Sequence, residues 1–170
     1  MFNVESSEAA KVEDCVTPYF DALAQEILGR GVCLRFRARG MSMYPAIQNG
    51  DILLIEPQCA AEFNIGDVVF YRRLGGTYIV HRLVKKENNS ALITKGDNQP
   101  YYDMPVPIEQ AMGKVIQVEG RGKRVNLKGA PSRTLGQILA WFSHYHSPTQ
   151  TMLTRQLGRL YWLIGGNRIK

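Results

Sequence analysis

Serine, histidine and aspartate stand in this chain at spacings that suit nucleophilic catalysis. Ser42 lies in Arg39-Gly40-Met41-Ser42-Met43-Tyr44-Pro45-Ala46-Ile47-Gln48-Asn49-Gly50-Asp51, and His81 follows 39 positions later in Tyr78-Ile79-Val80-His81-Arg82. A serine hydroxyl is a poor nucleophile until a base within hydrogen-bond reach accepts its proton. An unperturbed imidazole titrates near pH ~6.5, so histidine is a natural base at neutral pH. It then needs one tautomer and one orientation, which a carboxylate on its second nitrogen provides. Two aspartates follow: Asp97 in Lys95-Gly96-Asp97-Asn98, and Asp103 six residues on. Either can orient His81, and Asp97 can instead shape its own turn through backbone hydrogen bonds.

Taken singly these pieces are ordinary. Ser-Met-Tyr-Pro reads as a turn, and the Gly50-Asp51 and Gly66-Asp67 pairs mark turns as well. The information lies in their order: serine loop, Gly-Asp turn, apolar strand, His-Arg, then Gly-Asp-Asn with a second aspartate behind it. This ordered set, over about residues 34 to 118, resembles the signal peptidase I family of serine proteases, with the S24/S26-type fold. It is similar in particular to the branch that uses histidine rather than lysine as base, that of the endoplasmic-reticulum enzyme and its archaeal and Bacillus relatives.

The resemblance implies a mostly β fold with the site along one edge, and Ser42, His81 and an aspartate as the catalytic set. The branch has an aspartate at each of the two places, and Asp103 is the favoured orienter. The Ser42 N–H is expected in the oxyanion hole. Relatives often carry a donor two residues before the serine; here Gly40 supplies no side chain but lets the backbone approach closely. Pro45 holds the loop, and Met43 and Tyr44 either line a substrate groove or pack. Relatives bind an extended peptide along a sheet edge and cut after small, Ala-x-Ala-like residues, so a leader or signal-like segment is the expected substrate. Two other readings remain. A self-cleaving repressor-type protease would use lysine and carry an upstream DNA-binding helix pair and Ala-Gly or Cys-Gly bond, none of which is here. A non-catalytic peptide-binding module is compatible with Gly40, but would have no physical reason to keep all four of Ser42, His81, Asp97 and Asp103.

Composition narrows the rest. A chain of 170 residues suits one domain with an appendage. Cys15, Cys33 and Cys59 show no metal-ligand spacing and are expected to be buried small apolar residues in a reducing compartment. His144 and His146 lack an evident third ligand, and there is no Gly-x-Gly-x-x-Gly or P-loop, so no metal or cofactor is expected. Residues 1–113 carry 11 Lys+Arg against 14 Asp+Glu; residues 114–170 carry 10 against Glu119 alone, for the overall +6. The positive end points to an anionic membrane surface or an acidic partner, and no nucleic-acid motif accompanies it. The start is acidic without an apolar core, and no run approaches 18 apolar residues. A cytoplasmic protein, or one peripheral to a membrane, is therefore expected, although relatives usually have a membrane anchor.

The elements that must position the site follow from periodicity. A polar segment and amphipathic helix fill residues 1–31. Thr17-Pro18 reads as its cap, with Phe20, Leu23, Ala24 and Ile27 on one face and Gly29 and Gly31 at its end. That helix either docks on the sheet or lies on a membrane. Residues 32–127 form the catalytic domain, an antiparallel coiled or barrel-like sheet. Its strands are predicted near 32–38, 52–55, 68–71, 78–84, 91–94, 114–118 and 124–127, with turns at Leu74-Gly75-Gly76 and Glu87-Asn88-Asn89-Ser90. Residues 128–170 form a basic helical tail. Leu135, Ile138, Leu139 and Phe142 make one apolar face and Leu153, Leu157, Leu160, Tyr161 and Ile164 a second, split at Ser147-Pro148-Thr149. The tail either packs as a hairpin or lies on a bilayer.

Overall fold

The computed structural model describes residues 19–88, 90–143, 156, 159, 160, 162, 163 and 166–168. Among the described residues, nine antiparallel strands form one sheet. They are β1 (Leu34–Arg37), β2 (Ile52–Pro57), β3 (Val68–Arg72), β4 (Tyr78–Glu87), β5 (Ala91–Lys95), β6 (Val106–Pro107), β7 (Ala111–Gly120), β8 (Lys123–Asn126) and β9 (Gly166–Arg168). Seven run in the order β1-β2-β7-β3-β4-β5-β6. One edge of β7 takes β2; the other is divided between β3, at Ala111 to Lys114, and β8, at Gln117 to Gly120. Register breaks at Leu54/Ile55, Phe70/Tyr71 and Leu83/Lys85 bend the strands as bulges do. This is the mainly β, antiparallel, coiled-sheet architecture expected, with a helix before and helical residues after.

β3 reads Val-Val-Phe-Tyr with no polar alternate because both of its faces are covered. Val68 and Phe70 enter the main core with Leu53, Ile55, Val115 and Val118. Val69 and Tyr71 enter a second core with Phe63, Leu83, Leu92 and Val106. Each fully buried side chain of this size contributes about 1.5–3 kcal/mol, so the strands that carry the site rest on two rigid floors.

Helix α1 covers residues 19–29. It ends at Gly31, whose φ of +77° permits a Schellman closure: Val32 N–H bonds Ile27 carbonyl and Gly31 N–H bonds Leu28 carbonyl. The helix docks on the sheet. Ala24 and Leu28 are buried in the main core, with Phe20 and Ile27 packed against it and Phe20 edge-on to Tyr78. Leu23, expected on that face, is 51% exposed; Leu28 takes its place, which turns the stripe to positions 20, 24, 27 and 28. Asp21 fastens the same helix, accepting from the Tyr78 hydroxyl and pairing with Arg72 Nε at 2.8 Å.

Helix α2 (Ala130–Ser143) forms where the spacing predicted it, but rotated. Leu135, Leu139 and Ala140 are buried, whereas Ile138 and Trp141 face out. Gly66, at the turn into β3, meets it so closely that a Cβ there would lie 2.6 Å from the Gly136 and Gln137 backbone. Leu160 and Trp162 also join the main core. Leu153, Leu157, Tyr161, Ile164, His144, His146 and Cys15 lie outside the described residues. The cysteine expectation is corrected at the two that can be seen: Cys33 and Cys59 are exposed, since each stands in a connection rather than in a strand facing a core. Among the described residues no helix is long and apolar enough to cross a membrane.

Among the described residues, three of the ten C-terminal cations are ion-paired within the fold. Lys114 pairs with Asp67 at 2.7 Å, Arg124 with Glu119 at 2.9 Å and Lys128 with Glu56 at 2.7 Å. Part of the asymmetry read from the sequence thus has an internal use, with Lys114, Arg124 and Lys128 meeting acids of the fold.

Candidate active site

Ser42 sits in the loop between β1 and β2. The base of the loop is closed by Ala38 N–H to Asp51 carbonyl (2.8 Å), Gly50 N–H to Ala38 carbonyl (2.9 Å) and Gly40 N–H to Asn49 Oδ1 (3.1 Å). Gly40 is needed for its φ of +86°; a Cβ there would meet open space. Its N–H is taken by Asn49, so Gly40 shapes the loop rather than supplying an oxyanion donor.

Above this base the loop is held by its carbonyls. The Ser42 carbonyl accepts from Asn98 N–H at 2.7 Å, and that of Met41 from Asn98 Nδ2 at 3.2 Å and Tyr44 N–H at 3.1 Å. The Met43 carbonyl accepts from Ile47 N–H at 3.0 Å. The carbonyls of Pro45 and Ala46 accept from Arg121 at 2.9 Å and Trp162 Nε1 at 3.0 Å. Gly96 completes the cradle, because a Cβ on it would lie 2.7 Å from the Ser42 carbonyl oxygen. Met43 is 4% exposed and part of the main core, so of its two readings, groove or packing, it is packing that the structure shows: its side chain anchors the loop inward. Pro45 is buried with it, and Tyr44 is half-buried. Met41, beside the serine, is 47% exposed, and nothing in its spacing marked it.

His81 reaches the loop from β4. It pairs with Val69 across β3, so it shares the face of the second core with Val69 and Leu83. His81 Nε2 lies 2.9 Å from Ser42 Oγ, and His81 Nδ1 lies 2.6 Å from Asp103 Oδ2. In the tautomer this demands, Nδ1–H donates to the carboxylate and Nε2 accepts from the hydroxyl. Asp103 is fixed by its own N–H, which bonds the Thr94 carbonyl at 2.8 Å. The Thr94 hydroxyl donates to Asp103 Oδ2 at 2.8 Å and lies 3.3 Å from the Tyr71 hydroxyl; Arg73 stands 3.4 Å from Oδ1. Burial alone pushes the Asp103 carboxyl up, but the His81 bond and charge, with Thr94 and Tyr71, bring it below the usual carboxylate value.

Asp97 has a different partner. Arg82, which alternation turns to the opposite face from His81, grips both its oxygens, Nε to Oδ1 at 2.7 Å and an Nη to Oδ2 at 2.6 Å. Another Arg82 nitrogen donates to the Gly66 carbonyl at 2.8 Å. The pair is buried, with 2% of each side chain exposed. Asp97 therefore holds the turn that presents Gly96 and Asn98 to the serine loop, while the carboxylate at His81 is that of Asp103. Thr94, Tyr71, Arg121 and Trp162 carried no functional signal beforehand, and Arg82 stood in the motif order only as the neighbour of His81. The one available hint was an arginine inside an apolar strand, since arginine is almost never fully buried unless paired.

The matches to known proteins give the family. The family model described as Peptidase S24-like matches residues 9–116, more than half of the chain. The chain belongs to the Peptidase S24-like family. Among curated relatives, it is 45% identical over 108 residues to the signal peptidase complex catalytic subunit SEC11 of Saccharomyces cerevisiae (strain YJM789), covering 60% of this chain and 61% of that protein. It is 42% identical over 67 residues to the protein of that name in Scheffersomyces stipitis, 37% of this chain and 40% of the relative. For Chaetomium globosum the figures are 44% over 62 residues, 34% and 36%. The chain spans less than two thirds of the length of these relatives. No solved structure matches it.

Proposed function

We propose that this member of the Peptidase S24-like family is a serine endopeptidase of signal-peptidase type. Ser42 is its nucleophile, His81 its general base and Asp103 the residue that orients the base. The continuous hydrogen-bonded line from Ser42 Oγ through the His81 ring to Asp103 is the observation that carries this reading. In the forward step Ser42 Oγ attacks the scissile carbonyl as His81 Nε2 takes its proton. Asp103 stabilises the imidazolium that results. The same proton then passes to the leaving amine, and water returns the acyl-enzyme to serine by the reverse sequence. The Ser42 N–H is the backbone donor assigned to the developing oxyanion.

The substrate proposed is a leader or signal-like segment, bound in extended form past Met41 and cut after small residues. The relatives are named as catalytic subunits of a signal peptidase complex, and association with partner subunits is proposed on that basis; an anionic membrane surface is proposed on the positive charge of residues 114–170.

Cleavage of a diverse peptide library by purified protein at neutral pH tests the proposal, with Ser42→Ala and His81→Ala beside it. Cuts after small residues that vanish in both variants are expected. Cuts that survive either variant would overturn the assignment of nucleophile and base, and no cuts with detergent or lipid supplied would overturn the proposal in favour of a binding role.

A further inference from the structure

We propose that Trp162 and Arg121 are positioning residues for Ser42, a latch by which the C-terminal segment sets the nucleophile loop. This rests on the catalytic reading of Ser42. The loop is held from two sides. On one side the Gly96–Asn98 turn takes the carbonyls of Met41 and Ser42. On the other, Trp162 donates from Nε1 to Ala46 across 116 residues of chain, and Arg121 donates to Pro45. These are neighbouring carbonyls, three and four residues past the serine, so they fix the level at which the loop crosses the sheet.

The latch is built as a unit. Trp162 is 5% exposed, and its ring lies in the main core. The Arg121 guanidinium stands over that ring, 4.6 Å from its centroid, which aligns the plane for bonding to Pro45. Lys123 holds the Trp162 backbone carbonyl at 3.2 Å. A buried indole N–H needs an acceptor; here that acceptor is a carbonyl of the serine loop, and one guanidinium bridges the ring to the neighbouring carbonyl. Trp162 lies beyond the stretch matched by the family model, which ends at 116.

The mechanical argument is direct. His81 is fixed on a strand with Asp103 behind it, so the Ser42–His81 distance depends on where the loop sits. Freed at Pro45 and Ala46, the loop keeps its fold through Met43 and Ile47, which are buried in the main core, but loses the constraint on its height. A shift of about an ångström at reacting atoms costs about a hundredfold in rate at worst.

The test uses the full chain and a biotinylated fluorophosphonate, which Ser42 attacks with loss of fluoride. Trp162→Phe keeps an aromatic ring, smaller than the indole, and removes the N–H donor. Arg121→Met keeps contact with the ring and removes the donor to Pro45. Each is expected to slow labelling about tenfold, with an unchanged final stoichiometry and faster amide exchange in residues 41–47. Arg121→Lys, which retains a cationic donor, restores part of the rate. Labelling and exchange at wild-type rates in either folded variant would overturn the latch. A wild-type chain that is not labelled while correctly folded would overturn the catalytic reading, and the positioning role with it. Should Trp162→Phe fail to fold, Arg121→Met and Arg121→Lys decide the matter alone.

Discussion

Arg82 and Asp97 form a buried two-pronged ion pair directly beside the strand position that carries His81. The two aspartates of the site therefore answer to different residues, and substituting them should separate structure from catalysis. Asp97→Asn leaves a buried guanidinium without its counter-charge, a loss of about 3–5 kcal/mol in comparable pairs. Its melting temperature should fall well below that of the wild type. Asp103→Asn should fold normally and lose kcat by about 10³–10⁴-fold, because the amide favours the wrong imidazole tautomer. Thermal melts and kcat on the same two preparations check both, and a reversed pattern would reverse the assignment.

Gly96→Ala tests the approach between the Asp97 turn and the serine loop. The added methyl would sit 2.7 Å from the Ser42 carbonyl oxygen, a backbone atom that cannot rotate away. The loop must move, and activity should fall at least about tenfold even where the fold survives. Gly40→Ala adds a methyl into open space, and its cost comes from the strained φ of +86° alone. Its effect should appear mainly in stability, as measured by urea unfolding.

Ser42→Ala and His81→Ala should each reduce peptide hydrolysis by about 10⁵–10⁶-fold, and the double variant should be no worse than either alone, since the two groups act as one unit. Steady-state rates on a cleaved library peptide measure this. Additive losses would mean that His81 is not the base for Ser42.

Acid stability should report on Asp103. Its folded carboxyl is held below its ordinary value, net of a burial effect that opposes this. A carboxyl of that kind stabilises the fold above its unfolded pKa of about 3.9, and the contribution disappears as pH falls through the folded value. The stability gap between wild type and Asp103→Asn should thus be full at pH 5 and above, and should narrow below about pH 4. Chemical denaturation across that range gives the gap directly, and one that widens toward acid would contradict the sign.

The sheet and its strands were legible because apolar runs bounded by Gly-Asp and Gly-Gly pairs have few other uses, and the serine, histidine and aspartate stood out by order. Less was legible where a side chain's role depends on something distant in sequence. Met43 reads as either groove or packing until the loop is seen turned inward on the core. Asp103 is the favoured orienter in the sequence and Asp97 a candidate turn residue, but the partner that Asp97 takes becomes visible only through the alternation of β4, which sends His81 and Arg82 to opposite faces. The exposure of Cys33 and Cys59 follows from their places in connections, which cysteine's preference for cores does not foresee. β9 arises in a stretch read as the end of a helix; strand pairing with β8, over Lys123 to Val125, draws it into the sheet.

β3 carries apolar side chains on both faces, so greasiness does not tell it which way up to lie. Shifted by one residue, Val68 and Phe70 would trade places with Val69 and Tyr71 and remain as well hidden. What would suffer is polar. With β4 shifted alike, His81 would turn away from Ser42 and Asp103, and Arg82 would leave Asp97 behind in the interior. The groups assigned to chemistry and the ion pair beside them thus also name the correct alignment of the sheet against its nearest decoy. A variant stripped of both to gain stability would be expected to blur its own register before it unfolded.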